Sequence, residues 1–219
     1  KIKKNLAENY RPLVWSPSGK KLLVTSKSKD IYGISDWDGE NLKELPNPET
    51  GHLCNYAWLT EEELLVSVCT NKRGPMYNDD KTYILNVETG QYQKIGPDIV
   101  RRIQAVSPDG NLWFEQGDKF YMVRRDGTEK SIDFLPISSD FIFPLGQPAL
   151  VFNPSGDTLY YFKAESKNGT MLYDLYSLPL TNQALKQEKL LYHGFGGNSY
   201  AMHVSPDGKY MAVIIAPKD

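Results

Sequence analysis

Few residues of this chain are spaced for catalysis or for holding a metal ion. The histidines are His52, His193 and His203, and none shows the H-E-x-x-H spacing of a zinc site. The cysteines, Cys54 and Cys69, form no C-x-x-C pair. No G-x-S-x-G pentapeptide offers a serine nucleophile, and no G-x-x-x-x-G-K segment offers a phosphate cradle. We therefore predict no catalytic residue, no metal ligand and no cofactor.

The remaining chemistry is the binding of a partner by cationic and aromatic side chains. An arginine can bind a carboxylate through two parallel hydrogen bonds. Two arginines and a tyrosine occupy one position of an internal repeat, and a histidine occupies a neighbouring position. A further arginine and tyrosine fall in the long segment 70–80, which is a candidate protein-contact patch. The candidate ligand-binding residues are Arg11, Arg102, Tyr200, His203, Arg73 and Tyr77.

The repeat that positions these residues returns at intervals of 43 to 52 residues. Such a period is typical of repeat architectures. We call the residue that directly precedes the turn in each copy of the repeat its anchor. Arg11, Arg102 and Tyr200 each lie four residues before an anchor, and His203 lies one residue before one. The anchors are Trp15, Trp58, Val106, Phe152 and Val204.

A sharp turn follows each anchor, with the sequence Ser-Pro-Asp-Gly in its most regular copies at 107–110 and 205–208. Proline presets φ for a turn, Asp or Ser bonds the backbone two residues on, and glycine accepts positive φ. Apolar runs flank the turn on both sides. Each copy therefore predicts a hairpin.

Four short apolar runs joined by turns make up each repeat, which predicts a four-stranded antiparallel sheet. One such sheet cannot bury both of its faces, whereas stacked twisted sheets bury them against one another. We predict an all-β fold, a β-propeller of about five blades with the last incomplete. A β-sandwich is the alternative, but it does not account for a tyrosine that returns in the third run at Tyr32, Tyr83, Tyr121 and Tyr176.

Residues 1–219 are expected to form a single propeller domain. The predicted blades cover residues 10–47, 52–96, 101–135, 147–193 and 199–219, and residues 1–9 resemble a stray closing strand. Aligned on the turn, the sequence stops where the third strand of the last blade would begin. Either the ring closes with a three-stranded blade, or the sequence is a fragment of a longer propeller, which is the interpretation we favour.

The two cysteines fall on neighbouring strands of the second predicted blade. Folding that hairpin about residues 60–63 places Cys54 nearly opposite Cys69. A register shift of one residue decides whether the two side chains face each other. A disulfide and a pair of buried free thiols therefore both remain open.

Composition narrows the class of partner. The formal net charge of −2 does not favour nucleic acid, and 40% hydrophobic residues suffice for a sizeable core. No apolar run is long enough to cross a bilayer as a helix. The sequence starts at Lys1 rather than methionine, so we expect either that a signal, anchor or upstream domain was removed or that Lys1 marks a cloning boundary.

The Ser-Pro-Asp-Gly-Lys turn, its apolar strand, and the following Ile-Tyr and Asp-Gly resemble the propeller repeat of the TolB family and related WD-like proteins. The matching segments are 15–39, 106–127, 152–176 and 204–213. The resemblance implies an extracytoplasmic bacterial protein, periplasmic or at the cell surface, that binds a protein or peptide partner without catalysis. Prolyl oligopeptidase-type enzymes carry similar repeats, so the alternative is the propeller portion of a larger hydrolase.

Overall fold

The computed structural model describes residues 10–26, 31–48, 51–69, 81–95, 102–116, 120–132, 150–167, 170–180, 187–196, 198–205 and 207–216. For residues 52, 102, 116, 132, 164–167, 170–171, 195–196, 198–201 and 214–216 it describes the backbone alone. The described residues form strands and turns without a helix, which confirms the all-β prediction. The chain divides into two compact units, one of residues 1–103 and 124–129, the other of residues 104–123 and 130–219.

The first unit contains two four-stranded antiparallel sheets in which each strand pairs with the next along the chain. The first sheet comprises β1 (Tyr10–Trp15), β2 (Lys21–Ser26), β3 (Tyr32–Asp36) and β4 (Lys43–Glu44). The second comprises β5 (His52–Trp58), β6 (Glu63–Cys69), β7 (Lys81–Asn86) and β8 (Tyr92–Ile95). We name the end of a sheet where its first strand begins the loop end, and the opposite end, which carries the hairpin turns, the turn end.

Central strands of this unit are apolar on both faces because both faces are covered. In β2 the consecutive residues Leu22, Leu23 and Val24 are all buried. The core between the two sheets contains Leu23 and Ile34 from the first sheet with Trp58 and Val66 from the second. The first sheet therefore packs on the second through the face that carries Leu23.

A third four-stranded sheet has the order β12-β11-β10-β9. Its strands are β9 (Arg102–Val106), β10 (Leu112–Gln116), β11 (Phe120–Arg124) and β12 (Glu129–Ile132). The second unit also holds a fourth sheet, made of β13 (Leu150–Phe152), β14 (Thr158–Lys167), β15 (Thr170–Pro179) and β16 (Lys189–Gly196). In the fifth sheet two described strands pair, β17 (Asn198–Val204) and β18 (Met211–Ala216). Phe114 and Phe120 pack with Phe152 and Tyr161 in the core of this unit.

The turns after the anchors are held by their own side chains. The Ser107 hydroxyl donates to the Asp109 carboxylate (2.5 Å) and accepts the Leu112 N–H (3.0 Å). The same two bonds return in the fifth sheet, from Ser205 to Asp207 (2.6 Å) and from the Tyr210 N–H to Ser205 (3.0 Å). These bonds fix where each second strand starts, so the repeat of the sequence becomes a repeat of the backbone.

Candidate functional site

Arg11 lies on β1, the first strand of the first sheet, and is exposed at the loop end. It pairs with Thr25, which pairs with Tyr32, so all three occupy the face packed against the second sheet. On the second sheet, half-buried Tyr56 packs against the same core. Burial raises the pKa of the Tyr56 hydroxyl, and the nearby charge of Arg11 acts in the opposite direction. The structure therefore places Arg11 on the face that meets the sheet carrying Tyr56, a tyrosine that the sequence did not single out.

Arg11 has no carboxylate partner among the described residues, in contrast to Lys21 and Arg125 of the same unit. The Arg125 guanidinium donates hydrogen bonds to both carboxylate oxygens of Glu63, at 2.6 Å each. Lys21 bonds the Glu88 carboxylate at 2.6 Å, and this bond holds the pKa of Glu88 below its usual value. The paired cations join parts of the fold to one another, whereas the Arg11 guanidinium is available to an anionic ligand.

Cys54 and Cys69 are joined as a disulfide, with their Cα atoms 5.9 Å apart. The register explains how they meet. Leu53 pairs with Val68 and Asn55 pairs with Ser67, so Cys54 is an extra residue at a β-bulge. A bulge re-aims one side chain of a strand, and here it places the exposed Cys54 beside the buried Cys69.

For most of the other predicted binding residues the structure describes no side chain. Arg102 is the first residue of β9, and Tyr200 lies at a register shift of β17, where the backbone alone is described. His203 is exposed on β17 opposite Ala212. Arg73 and Tyr77 lie outside the described residues. The structure thus supplies side-chain geometry for Arg11 and His203 alone.

A sequence signal for Tyr56 exists in hindsight. It stands two residues before the anchor Trp58, and residues two apart on a strand share a face. Because Trp58 is buried against the first sheet, an aromatic residue on the same face has to approach that sheet as well. The position of Tyr56 relative to its anchor therefore predicts that it lies on the face that meets the first sheet.

The described residues contain neither a metal-binding cluster nor a membrane-spanning helix. Within that part of the chain, no three His, Cys, Asp or Glu side chains are grouped as a metal site would require. The same residues include no helix with the length and apolar character needed to cross a membrane.

Solved structures share this architecture, although no family model and no curated relative matches the sequence. The TolB candidate of Agrobacterium tumefaciens matches 93% of this chain at 14% identity, with a TM-score of 0.61. TolB of Acinetobacter baumannii matches 95% of this chain at 17% identity, with a TM-score of 0.58. The Cps50 (Swd1) β-propeller domain of Myceliophteria thermophila matches 94% of this chain at 11% identity, with a TM-score of 0.61. This chain has the β-propeller fold. It spans 69%, 47% and 62% of those chains, respectively.

Proposed function

We propose that this chain is a non-catalytic β-propeller module that binds a protein or peptide partner through the loop end of its sheets. The observation that supports this most directly is the exposed Arg11, on the face of the first sheet that packs against the second, where half-buried Tyr56 packs against the same core. A guanidinium and a phenol are N–H and O–H donors suited to a carboxylate. The partner group is therefore an Asp or Glu side chain or a free C-terminus.

Further contacts are proposed at the matching positions of the other repeats. Arg102 and Tyr200 stand four residues before their anchors, as Arg11 does, and His203 precedes its anchor directly. Arg73 and Tyr77 are proposed to add a contact patch from segment 70–80. A binding surface built from several repeats suits a protein or an extended peptide better than a small molecule.

We place the module outside the cytoplasm, in the periplasm or at the cell surface of a bacterium. The Cys54–Cys69 disulfide supports this, because disulfides persist in oxidising compartments and are rare where thiol reductants are abundant. The fold shared with the two TolB structures is compatible with that location.

The test is selection of peptides from a random library with the wild-type protein, followed by affinity measurements with two variants. We expect the selected peptides to be acidic and Arg11→Ala to bind them about tenfold more weakly or worse, since a charge-assisted hydrogen bond contributes roughly 1.5–3 kcal/mol. Arg124→Ala removes an exposed arginine at the turn end of β11 and should bind as the wild type does. Equal affinities for Arg11→Ala and the wild type would refute the proposal.

A further inference from the structure

The Cys54–Cys69 disulfide closes the open end of the hairpin made by β5 and β6. The two strands turn back at the other end, where the Leu59 N–H donates to the Glu63 carbonyl at 2.9 Å. At the open end β5 begins with His52, which pairs with Cys69, the last residue of β6. Paired strands open most readily from a free end, so this covalent bond holds the part of the hairpin that would otherwise open first.

The two cysteines differ in access. Cys54 is exposed, whereas Cys69 is fully buried. Gly51 adds to the cover of Cys69, because its backbone approaches so closely that a Cβ there would lie 2.2 Å from the Cys69 carbonyl oxygen. Thiol–disulfide exchange requires a thiolate to reach a sulfur, and exposed disulfides are the labile ones. Of the two residues, Cys54 is therefore the one that an attacking thiolate reaches.

The bond and the β-bulge at Cys54 depend on each other. In the bulged register Leu53 pairs with Val68 and is buried, at 4% exposure, in the core between the first two sheets. If the register beyond the bulge continued to the open end, Cys54 would face Val68 instead. Adjacent residues of a strand point to opposite faces, so Cys54 would then lie on the face opposite that of Cys69. The disulfide therefore exists only in the bulged register, and it holds Leu53 in the core.

Leu53 also joins the second sheet to the row that carries Arg11. The Tyr32 hydroxyl donates to the Leu53 carbonyl at 2.7 Å. Tyr32 pairs with Thr25, which pairs with Arg11. Tyr56, the tyrosine of the proposed loop-end site, follows Leu53 by three residues on β5. A displaced Leu53 would therefore alter both sides of that site.

Asn55 joins the same stretch of β5 to β9. Its side-chain amide donates to the carbonyl of Ile103 at 3.3 Å. Ile103 directly follows Arg102, which is proposed to bind the partner from the matching position of its repeat. Residues 53–56 are thus hydrogen-bonded to elements that carry two proposed binding arginines, and the disulfide holds the start of this stretch.

We propose that this disulfide is a thiol-exchange site, and that its reduction by a dithiol releases the partner from the loop end. The release step rests on the proposed function of that surface. In the oxidised protein the bond fixes Leu53 and the strand that carries Tyr56. In the reduced protein the open end of the hairpin opens locally, and the hydrogen bond from Tyr32 to Leu53 is lost with it. The surface then no longer holds its donors in one arrangement.

The exchange needs no group beyond the disulfide and the reductant. A thiolate of the dithiol attacks the Cys54 sulfur and bonds to it, and the Cys54–Cys69 bond breaks. The Cys69 sulfur leaves with the electron pair and takes a proton. The second thiolate of the reductant then attacks the reductant's own bound sulfur, so that Cys54 leaves as a thiolate and is protonated. The protein gains two electrons and two protons, and the dithiol is oxidised to an internal disulfide.

Coupling between reduction and partner binding is reciprocal. The factor by which reduction weakens the affinity for the partner is also the factor by which bound partner favours the oxidised over the reduced protein. Couplings of this kind typically amount to about 5–150-fold. A bound acidic peptide is therefore expected to shift the equilibrium with dithiothreitol toward the disulfide.

The exchange site is tested without any partner. Folded protein is incubated with glutathione, a monothiol that forms a mixed disulfide, and is then quenched, alkylated at its free thiols and analysed by peptide mass spectrometry. We expect glutathione on Cys54 and the alkyl group on Cys69. Glutathione on Cys69, or exchange that occurs only when urea unfolds the protein, would overturn the proposal.

The release step is tested with the acidic peptides selected on the oxidised protein. Their affinity should fall at least about fivefold when the wild type is reduced with dithiothreitol. The double variant Cys54→Ser/Cys69→Ser is the matched control. It should bind like the reduced wild type whether or not dithiothreitol is present, which shows that the reagent acts through this bond. Circular dichroism melts establish that the reduced protein and the variant are folded at the temperature of the measurement.

Equal affinities of the oxidised and reduced wild type would overturn the release step, and so would a peptide that leaves the dithiothreitol equilibrium unchanged. A selection that yields no acidic peptide would refute the proposed function of the surface, and the release step with it. The glutathione adduct on Cys54 does not depend on any peptide. Failure of the exchange site and failure of the proposed function are therefore distinguishable.

Discussion

The indole N–H of Trp58 donates a hydrogen bond to the carbonyl of Val14 at 3.3 Å, joining β5 to β1, the first strands of the first two sheets. The Tyr32 hydroxyl donates to the Leu53 carbonyl between the same sheets at 2.7 Å. Both bonds cross the interface between the two sheets, beside its apolar core. They satisfy backbone carbonyls that packing would bury and so fix the alignment of one sheet on the other.

Truncation of Trp58 should destabilise the first unit strongly. Trp58→Ala leaves a cavity in a core where the side chain is 7% exposed, and we expect a loss of about 3–5 kcal/mol in unfolding free energy. Trp58→Phe keeps most of the packing, loses the hydrogen bond to Val14, and should cost less. Trp15→Ala is the matched control, since an exposed surface substitution usually changes stability within about 0.5 kcal/mol. Urea unfolding at low protein concentration measures all three, and equal losses for Trp58→Ala and Trp15→Ala would contradict the packing described.

The Cys54–Cys69 disulfide is expected to stabilise the second sheet. The two residues are 15 apart in sequence, and a loop of that size corresponds to about 3 kcal/mol in the chain-entropy description. Replacing both cysteines with serine should lower the unfolding free energy of the oxidised protein by about that amount. The same substitution should have little effect when the wild type is compared under reducing conditions. Alkylation of unreduced protein by iodoacetamide would show that the thiols are free.

Gly51 is predicted to tolerate no side chain. Its φ is +100°, and a Cβ there would lie 2.2 Å from the Cys69 carbonyl oxygen. Gly51→Ala therefore combines a left-handed backbone with a clash, and should cost more than the roughly 1–3 kcal/mol of backbone strain alone. Gly127→Ala, with φ +84° and nothing within 4 Å of the added Cβ, carries only the strain and is the control. Thermal melts in which both variants lose equal stability would count against the close approach at Gly51.

Tyr92 should make the protein sensitive to alkali. Burial, with a smaller effect of Tyr32, raises the pKa of the Tyr92 hydroxyl from 10.0 to about 12, and the hydroxyl donates to the Pro46 carbonyl at 2.8 Å. The unfolded chain loses this proton near pH 10, before the folded chain does. Stability from this group is therefore complete below pH 10 and is lost as the pH rises to about 12.

The comparison that isolates this effect is the unfolding free energy of the wild type and Tyr92→Phe across that range. Phenylalanine cannot ionise, so the difference between the two proteins should shrink from pH 10 to 12. Parallel pH profiles would contradict the raised pKa.

Sequence reasoning predicted the sheets because the repeat is encoded in local chemistry. Ser107 and Asp109 bond each other as Ser205 and Asp207 do, since the same residues at the same spacing form the same turn. The strands on either side of each turn follow from their apolar runs.

Two kinds of feature could not be predicted from the sequence. The β-bulge at Cys54 shifts the register by one residue without a sequence signature of its own, so the cysteine pairing stayed open until the pairing of Leu53 with Val68 was known. Trp15 and Trp58 have the same type and repeat position, yet one is exposed and the other buried. Whether a neighbouring sheet covers an anchor is a tertiary property.

The central claim is that the loop end of the first two sheets binds the partner, and site-specific photocrosslinking in the native host tests it most directly. A benzoylphenylalanine in place of Tyr56 should capture one discrete partner, and Arg11→Ala in the same background should abolish the crosslink. The same probe in place of Lys130, which is exposed on the edge strand β12, should capture none. A partner captured at Lys130 and not at Tyr56 would show that this protein binds through another surface.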